Sequence, residues 1–195
     1  IRRPPRSTPS NSSAASDVYK RQMDTFTVTF GGMRYIEPRS FSAQEIVYRS
    51  TLPLIVGYTP RYGTTAELVA KVRSLKTKAP LILNRIMELI GDVVEEARRA
   101  LERENLEELG MLMDVNHGLL SSLGIVNEEH DRIVHVLRRA GALGAKTSGA
   151  GGGGAFVALA QTPEDSERLA KLIRGLGATP VATQIWRQGF ELLEH

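Results

Sequence analysis

The sequence of 195 residues contains no cysteine. That excludes a disulfide framework and a thiolate metal centre, and makes a reducing cytoplasm the expected compartment. No apolar run approaches the roughly 18 residues needed to cross a bilayer, so the chain reads as soluble. The N-terminal stretch lacks the apolar core of a secretory signal. Internal repeats are absent. No His, Asp or Glu recurs around His117 at ligand spacing, so no metal site is expected. A net positive charge is missing from most of the chain: the formal net charge is +3, but Arg2, Arg3, Arg6, Lys20 and Arg21 stand against Asp17 alone within residues 1–22. That leaves the remainder one charge negative. Neither nucleic acid nor an anionic membrane is therefore expected as a partner.

Residues 1–22 are rich in Pro, Ser and Arg without apolar periodicity, the composition of a disordered tail. An organelle transit peptide shares that composition, but the stretch more closely resembles translated adapter sequence at the end of a gene fragment. From Met23 the pattern changes. Thr25–Phe30 alternates β-branched and aromatic residues as a strand does, Gly31-Gly32 permits a turn, and Met33–Ile36 resumes. Leu52–Tyr58 reads as a buried strand. A helix over about Ala66–Leu75 comes next, capped by Thr64 or Thr65. Leu83, Ile86, Ile90, Val93, Ala97 and Leu101 form one apolar stripe at helical spacing, read as core, and Leu106, Leu109, Met113, Asn116 and Leu120 continue it in a second helix. Asn127 caps a helix through Ala140 that Gly141 stops. Thr162 and Pro163 open another, and a last strand runs over roughly Thr179–Trp186. Helices alternating with antiparallel strands point to an α+β layer.

The segment Gly144–Ala155 is the most informative. Ser148 is followed by Gly149, Ala150 and then Gly151, Gly152, Gly153 and Gly154. Residues with little or no side chain let backbone N–H groups approach an anion and take positive φ, which is how a phosphate is cradled. A flexible linker has the same composition, but linkers are seldom bounded by strands, as this run is by Leu143–Thr147 and Ala155–Ala160. The spacing fits neither the Walker loop nor the Rossmann fingerprint, both of which lead into a helix.

A glycine loop of this form, entered through Gly144-Ala145-Lys146-Thr147 and leaving into an apolar strand, resembles the third signature of the galactokinase, homoserine kinase, mevalonate kinase and phosphomevalonate kinase superfamily, and within it the mevalonate kinases. The resemblance spans Met23–His195 and corresponds to the C-terminal half of such an enzyme. Departures are Phe30 for tyrosine, Ser148 where threonine is frequent, and Ala155 where cysteine is. Ser12-Ser13-Ala14-Ala15 looks like the end of the family's ATP loop, but no glycine precedes it.

That resemblance implies a fold, a reaction and a set of site residues. The implied fold is the C-terminal domain of the superfamily, a ferredoxin-like antiparallel sheet with packed helices, over 51–195. Residues 23–50 are, on the same grounds, the last strands of a truncated N-terminal domain. The implied parent phosphorylates the C5 hydroxyl of mevalonate with ATP and Mg²⁺, and a homodimer is admissible. By the resemblance Asp24, followed by the segment Thr25–Gly32, takes the catalytic position; a lone Asp before a strand is otherwise a cap or turn residue. Thr65 binds substrate, unless it only caps its helix. Lys146, Ser148, Gly149, Ala150, Gly151, Gly152 and Gly153 form the phosphate loop, Lys146 being open to a strand-edge role as well. Asn116-His117 belongs to packing between domains. The ATP loop and most Mg²⁺ ligands belong to an upstream half, so this chain alone is expected to be inactive. The alternatives are another small-molecule kinase of the superfamily, acting on phosphomevalonate or a sugar, and a non-catalytic module that binds an anion at the loop.

Overall fold

The structure, a computed structural model, describes residues 27, 29–37, 40, 42–181 and 185. The chain divides into two compact units, of which the larger is Val47–Gln184.

The smaller unit holds a ribbon of β1 (Met33–Glu37) and β2 (Ser42–Ile46), paired antiparallel from Met33↔Ile46 to Glu37↔Ser42. The strand expected over Thr25–Phe30 does not form where it is described: Thr27, Thr29 and Phe30 are helical, and the Gly31 N–H donates to the Thr27 carbonyl at 2.9 Å. Alternation of β-branched residues is overridden by a well-made helix end. Gly31 and Gly32 take φ of 62° and 67°, and Arg34 donates to the carbonyls of Phe30 and Gly31 at 3.0 Å each. Its guanidinium also lies 5.3 Å from the centre of the Phe30 ring.

The larger unit opens with β3 (Leu54–Arg61) and continues through four helices. Helix α1 (Thr65–Lys78) begins at a capping box: Thr64 accepts from the Glu67 N–H, and the Glu67 carboxylate accepts from the Thr64 N–H. Helix α2 (Pro80–Glu102) starts on a proline, whose missing N–H costs nothing in a first turn. Asn105 caps α3 (Leu106–Ser122), and Asn127 caps α4 (Glu128–Arg139), which carries Glu128, Glu129 and Asp131 in its first turn and Arg138 and Arg139 in its last. Next come β4 (Gly144–Thr147), β5 (Gly153–Leu159), α5 (Pro163–Gly175) capped by Thr162, and β6 (Thr179–Val181).

The sheet has the order β4-β5-β3-β6 and every neighbour is antiparallel. This is the ferredoxin-like arrangement, with α1–α4 between its first two strands in sequence. Side chains alternate along β5, so it serves two cores. Phe156 and Ala158 join Ile133, Val134 and Leu137 of α4 and Leu169 and Ile173 of α5. Leu159 and Val157 meet Ala100 of α2 and Leu109, Leu112 and Met113 of α3. The apolar stripe of α2 is less buried than its periodicity suggests: Leu83 is buried, Ile86 and Ile90 are half-buried, and Val93, Ala97 and Leu101 only flank the second core.

Candidate active site

The glycine run is the turn of the β4–β5 hairpin. Thr147 pairs with Phe156, and the Ser148 N–H donates to the Ala155 carbonyl at 2.9 Å, which closes the hairpin's neck. Beyond the neck Gly149, Gly151, Gly152, Gly153 and Gly154 all have φ between 70° and 98°, a conformation residues with a side chain rarely adopt. The sequence accounts for these glycines by anion approach and by freedom to take positive φ. In the structure Gly151 and Gly153 serve a further purpose, because a Cβ at Gly151 would overlap the Ile125 carbonyl oxygen and one at Gly153 the Pro60 carbonyl oxygen. The Gly152 N–H donates to the Ile125 carbonyl, and the Gly152 carbonyl accepts from the Tyr62 N–H, both at 2.8 Å. The second half of the loop is thus pressed onto the turn after β3 and onto the α3–α4 connection. Gly149 is exposed, with nothing within 4 Å of where its Cβ would stand. The tip Ser148-Gly149-Ala150 is the part that faces outward.

The turn after β3 delivers the neighbouring groups. Arg61 pairs with Gly153 across the sheet, and Leu68 of α1 packs within reach of Gly152. Thr64 is the cap of α1, which leaves Thr65 free of that duty; the Thr65 hydroxyl accepts from the Arg61 guanidinium at 2.9 Å. Thr65 and the loop are therefore brought to one end of the sheet. Arg61 is an exposed cation there that sequence reasoning misses. Its only signal is a basic residue in a strand-to-helix turn, four residues before Thr65.

Lys146 lies on the edge strand β4, opposite Val157. Its ammonium donates to the Thr147 carbonyl at 2.8 Å, and burial pulls its pKa below the ordinary lysine value. Asp24 lies outside the described residues.

Asn116 and His117 are buried within the larger unit itself. The Thr147 N–H donates to His117 Nδ1 at 3.2 Å, which fixes the proton on Nε2, and Nε2 donates to Asp131 Oδ1 at 2.9 Å. Asp114, one turn earlier on α3, accepts from the Ala145 N–H at 2.9 Å and from Arg138 at 2.7 Å. Burial raises the Asp114 pKa, against the pull of those two donors. Helix α3 can sit this close because Gly110 and Gly144 meet backbone to backbone, with no room for a Cβ on either.

Two further features are separate from the loop. A pocket of about 510 Å³ lined by Leu52, Pro53, Pro163, Glu167, Lys171 and Arg174 lies toward the opposite end of β3. Among the described residues no group of three or more His, Cys, Asp or Glu is placed to hold a metal ion.

Residues 97–177, which hold the glycine hairpin, match the family described as GHMP kinases C terminal. These residues are a GHMP kinase C-terminal domain. The chain is 40% identical to the mevalonate kinase of Thermococcus sibiricus over 175 residues, which is 87% of this chain and 51% of that enzyme. Identity to the mevalonate kinase of Pyrococcus furiosus is also 40%, over 177 residues, 88% of this chain and 52% of that one. Among solved structures, L. major mevalonate kinase in complex with R-mevalonate is 34% identical, with a TM-score of 0.65 over 69% of this chain and 41% of its own. The chain spans about half the length of the curated relatives it matches. The glycine run, with Ser148 and Ala155 at its two ends, falls within the matched residues.

Proposed function

We propose that this chain is the C-terminal part of an ATP-dependent mevalonate kinase. The observation that carries the reading is the glycine hairpin, whose tip is open at Gly149 and whose anchored half lies on the turn that carries Arg61 and Thr65. The 40% identity to archaeal mevalonate kinases supports the choice of substrate.

In the proposed reaction the C5 hydroxyl of mevalonate attacks the γ-phosphorus of ATP. A new P–O bond forms, the bond to the β-phosphate oxygen breaks, ADP leaves, and the hydroxyl proton passes to a base. Asp24 is the residue proposed for that base. Such a reaction needs little covalent help, so positioning and neutralisation of phosphate charge dominate its rate. The backbone amides of Gly149–Gly151, beyond the neck that the Ser148 N–H closes, are the ones proposed to meet the anion, and the Thr65 hydroxyl with the positive end of α1 suits the carboxylate of mevalonate or a phosphate oxygen. Lys146 and Arg61 supply positive charge beside them. Mg²⁺, when bound to the nucleotide, would neutralise phosphate charge.

The test is turnover by the product of the complete gene with mevalonate, phosphomevalonate and galactose as competing acceptors. Mevalonate should be the preferred acceptor. Asp24→Asn should lower kcat by about 10²–10⁴-fold with KM little changed. A variant that keeps full turnover would remove Asp24 from the reaction, and preference for another acceptor would overturn the substrate assignment.

A further inference from the structure

A fully buried polar chain lies behind the glycine hairpin, and its centre is His130 in the first turn of α4. His130 Nδ1 is 2.7 Å from the Thr147 hydroxyl, on the strand that leads into the loop. Nε2 is 2.9 Å from the hydroxyl of Thr59, which pairs with Gly154 on the strand that leads out. Thr59 Oγ1 is also 3.3 Å from the Pro60 carbonyl, the same oxygen that leaves no room for a Cβ at Gly153. One assignment of protons satisfies all of these contacts. Nε2–H donates to Thr59, Thr59 donates to Pro60, and Thr147 donates to Nδ1. The ring is then neutral. It is wedged edge-on against Phe156, with ring centres 5.5 Å apart at 76°. Phe156 itself occupies the space that a side chain at position 57 would fill.

Thr147 is held at three atoms: its N–H by His117, its hydroxyl by His130, and its carbonyl by Lys146. We propose that His130 is a positioning residue for the glycine loop, a neutral imidazole that ties Thr147 at the loop's entrance to Thr59 beside its exit, and that protonating it loosens the entrance. A proton on Nδ1 would meet the hydroxyl hydrogen of Thr147 in a fully buried site, so that hydroxyl must turn away. The titratable and charged groups facing the ring are Glu129 and Asp131 from its own helix and His117 from α3; β3, β4 and β5 present two hydroxyls, the Gly154 backbone and Phe156. Burial outweighs the two carboxylates and holds the pKa of His130 below its ordinary value of 6.5. The effect on anion affinity rests on the proposed phosphate-binding role of the loop; the effect on loop geometry does not.

The test is amide and imidazole NMR of the 195-residue chain between pH 7.5 and 4.5, in the parent and in His130→Gln, His130→Leu and His117→Gln. The Gly149–Gly154 amides of the parent should shift with the titration of the His130 ring, at a midpoint below that of an ordinary histidine. His130→Gln keeps a donor and an acceptor but has no proton to gain, so its loop should hold the parent's neutral spectrum and lose the step. His130→Leu should displace the loop amides already at pH 7.5, and His117→Gln should keep the step. Loop amides indifferent to the ring's titration, a ring neutral to pH 4.5, or a step lost in His117→Gln instead would overturn the proposal.

Sulfate, which does not change protonation in this range, supplies the second readout. Its affinity should fall at least five-fold from pH 7.5 to 4.5 in the parent and stay level in His130→Gln. Sulfate bound equally at both pH values in the parent overturns the link to affinity. No sulfate binding at any pH, with the loop shifts as expected, overturns the anion reading and upholds the positioning role.

Discussion

Gly149 and Gly151 share a backbone conformation but not a neighbourhood, and the difference can be measured. Both have positive φ, 75° and 84°, which costs a residue with a Cβ about 1–2 kcal/mol. Gly149 stands in open space, so Gly149→Ala should cost little more than that. Gly151 lies against the Ile125 carbonyl, and Gly151→Ala adds an overlap with backbone worth about a further 1–3 kcal/mol. Urea denaturation of the two variants should separate them by that margin. Equal midpoints would mean that the second half of the loop is not packed as described. The same contrast divides the loop by role: residues 151–153 anchor it and residues 148–150 present it.

At the level of elements, α1 is the piece whose start serves both stability and the site. Thr64 makes the reciprocal cap with Glu67, while Thr65 turns its hydroxyl to Arg61. Thr64→Ala should therefore destabilise the domain by about 1 kcal/mol. Thr65→Ala should leave thermal stability within about 0.5 kcal/mol while weakening mevalonate binding by roughly 2–10-fold, the worth of one hydrogen bond. Thermal melts and substrate titrations of the complete protein would show the exchange of roles, and a Thr65 variant that melts early without losing affinity would reverse it. Elements of this kind are legible in the sequence because their signals are local: a Thr with Glu three residues on, an Asn or Thr before an amphipathic run, glycines between two apolar strands. The glycine hairpin, α4 and α5 all announce themselves in this way. His130 does not, since Thr59 lies 71 positions before it and Thr147 17 after it, and only the sheet order joins them. Helical Thr27, Thr29 and Phe30 escape a reading by propensity because the end that stabilises them is made by the side chain of Arg34, which no propensity contains.

For the larger unit as a whole, the sheet order determines where protection should lie. β3 and β5 are its central strands, each bonded on both sides, whereas β4 and the three-residue β6 are edges. Amide hydrogen exchange should be slowest at Val56 and in Phe156–Leu159, where two antiparallel ladders coincide, and fastest in β6. Protection of Thr179–Val181 equal to that of β5 would contradict this order. The same topology bears on how the domain comes into being. Leu54 must find Leu159, across a separation of about a hundred residues, and closing so long a loop costs roughly 4 kcal/mol of chain entropy before any ladder bond repays it. Helices α1–α4 fill that interval and can form from local contacts, which shortens the effective distance the strands must search. On a ribosome, β3 emerges long before its central partner exists. Until the hairpin arrives, the inner strand of the finished sheet is an unpaired edge, and that waiting period is when a newly made chain is most open to pairing with another copy of itself.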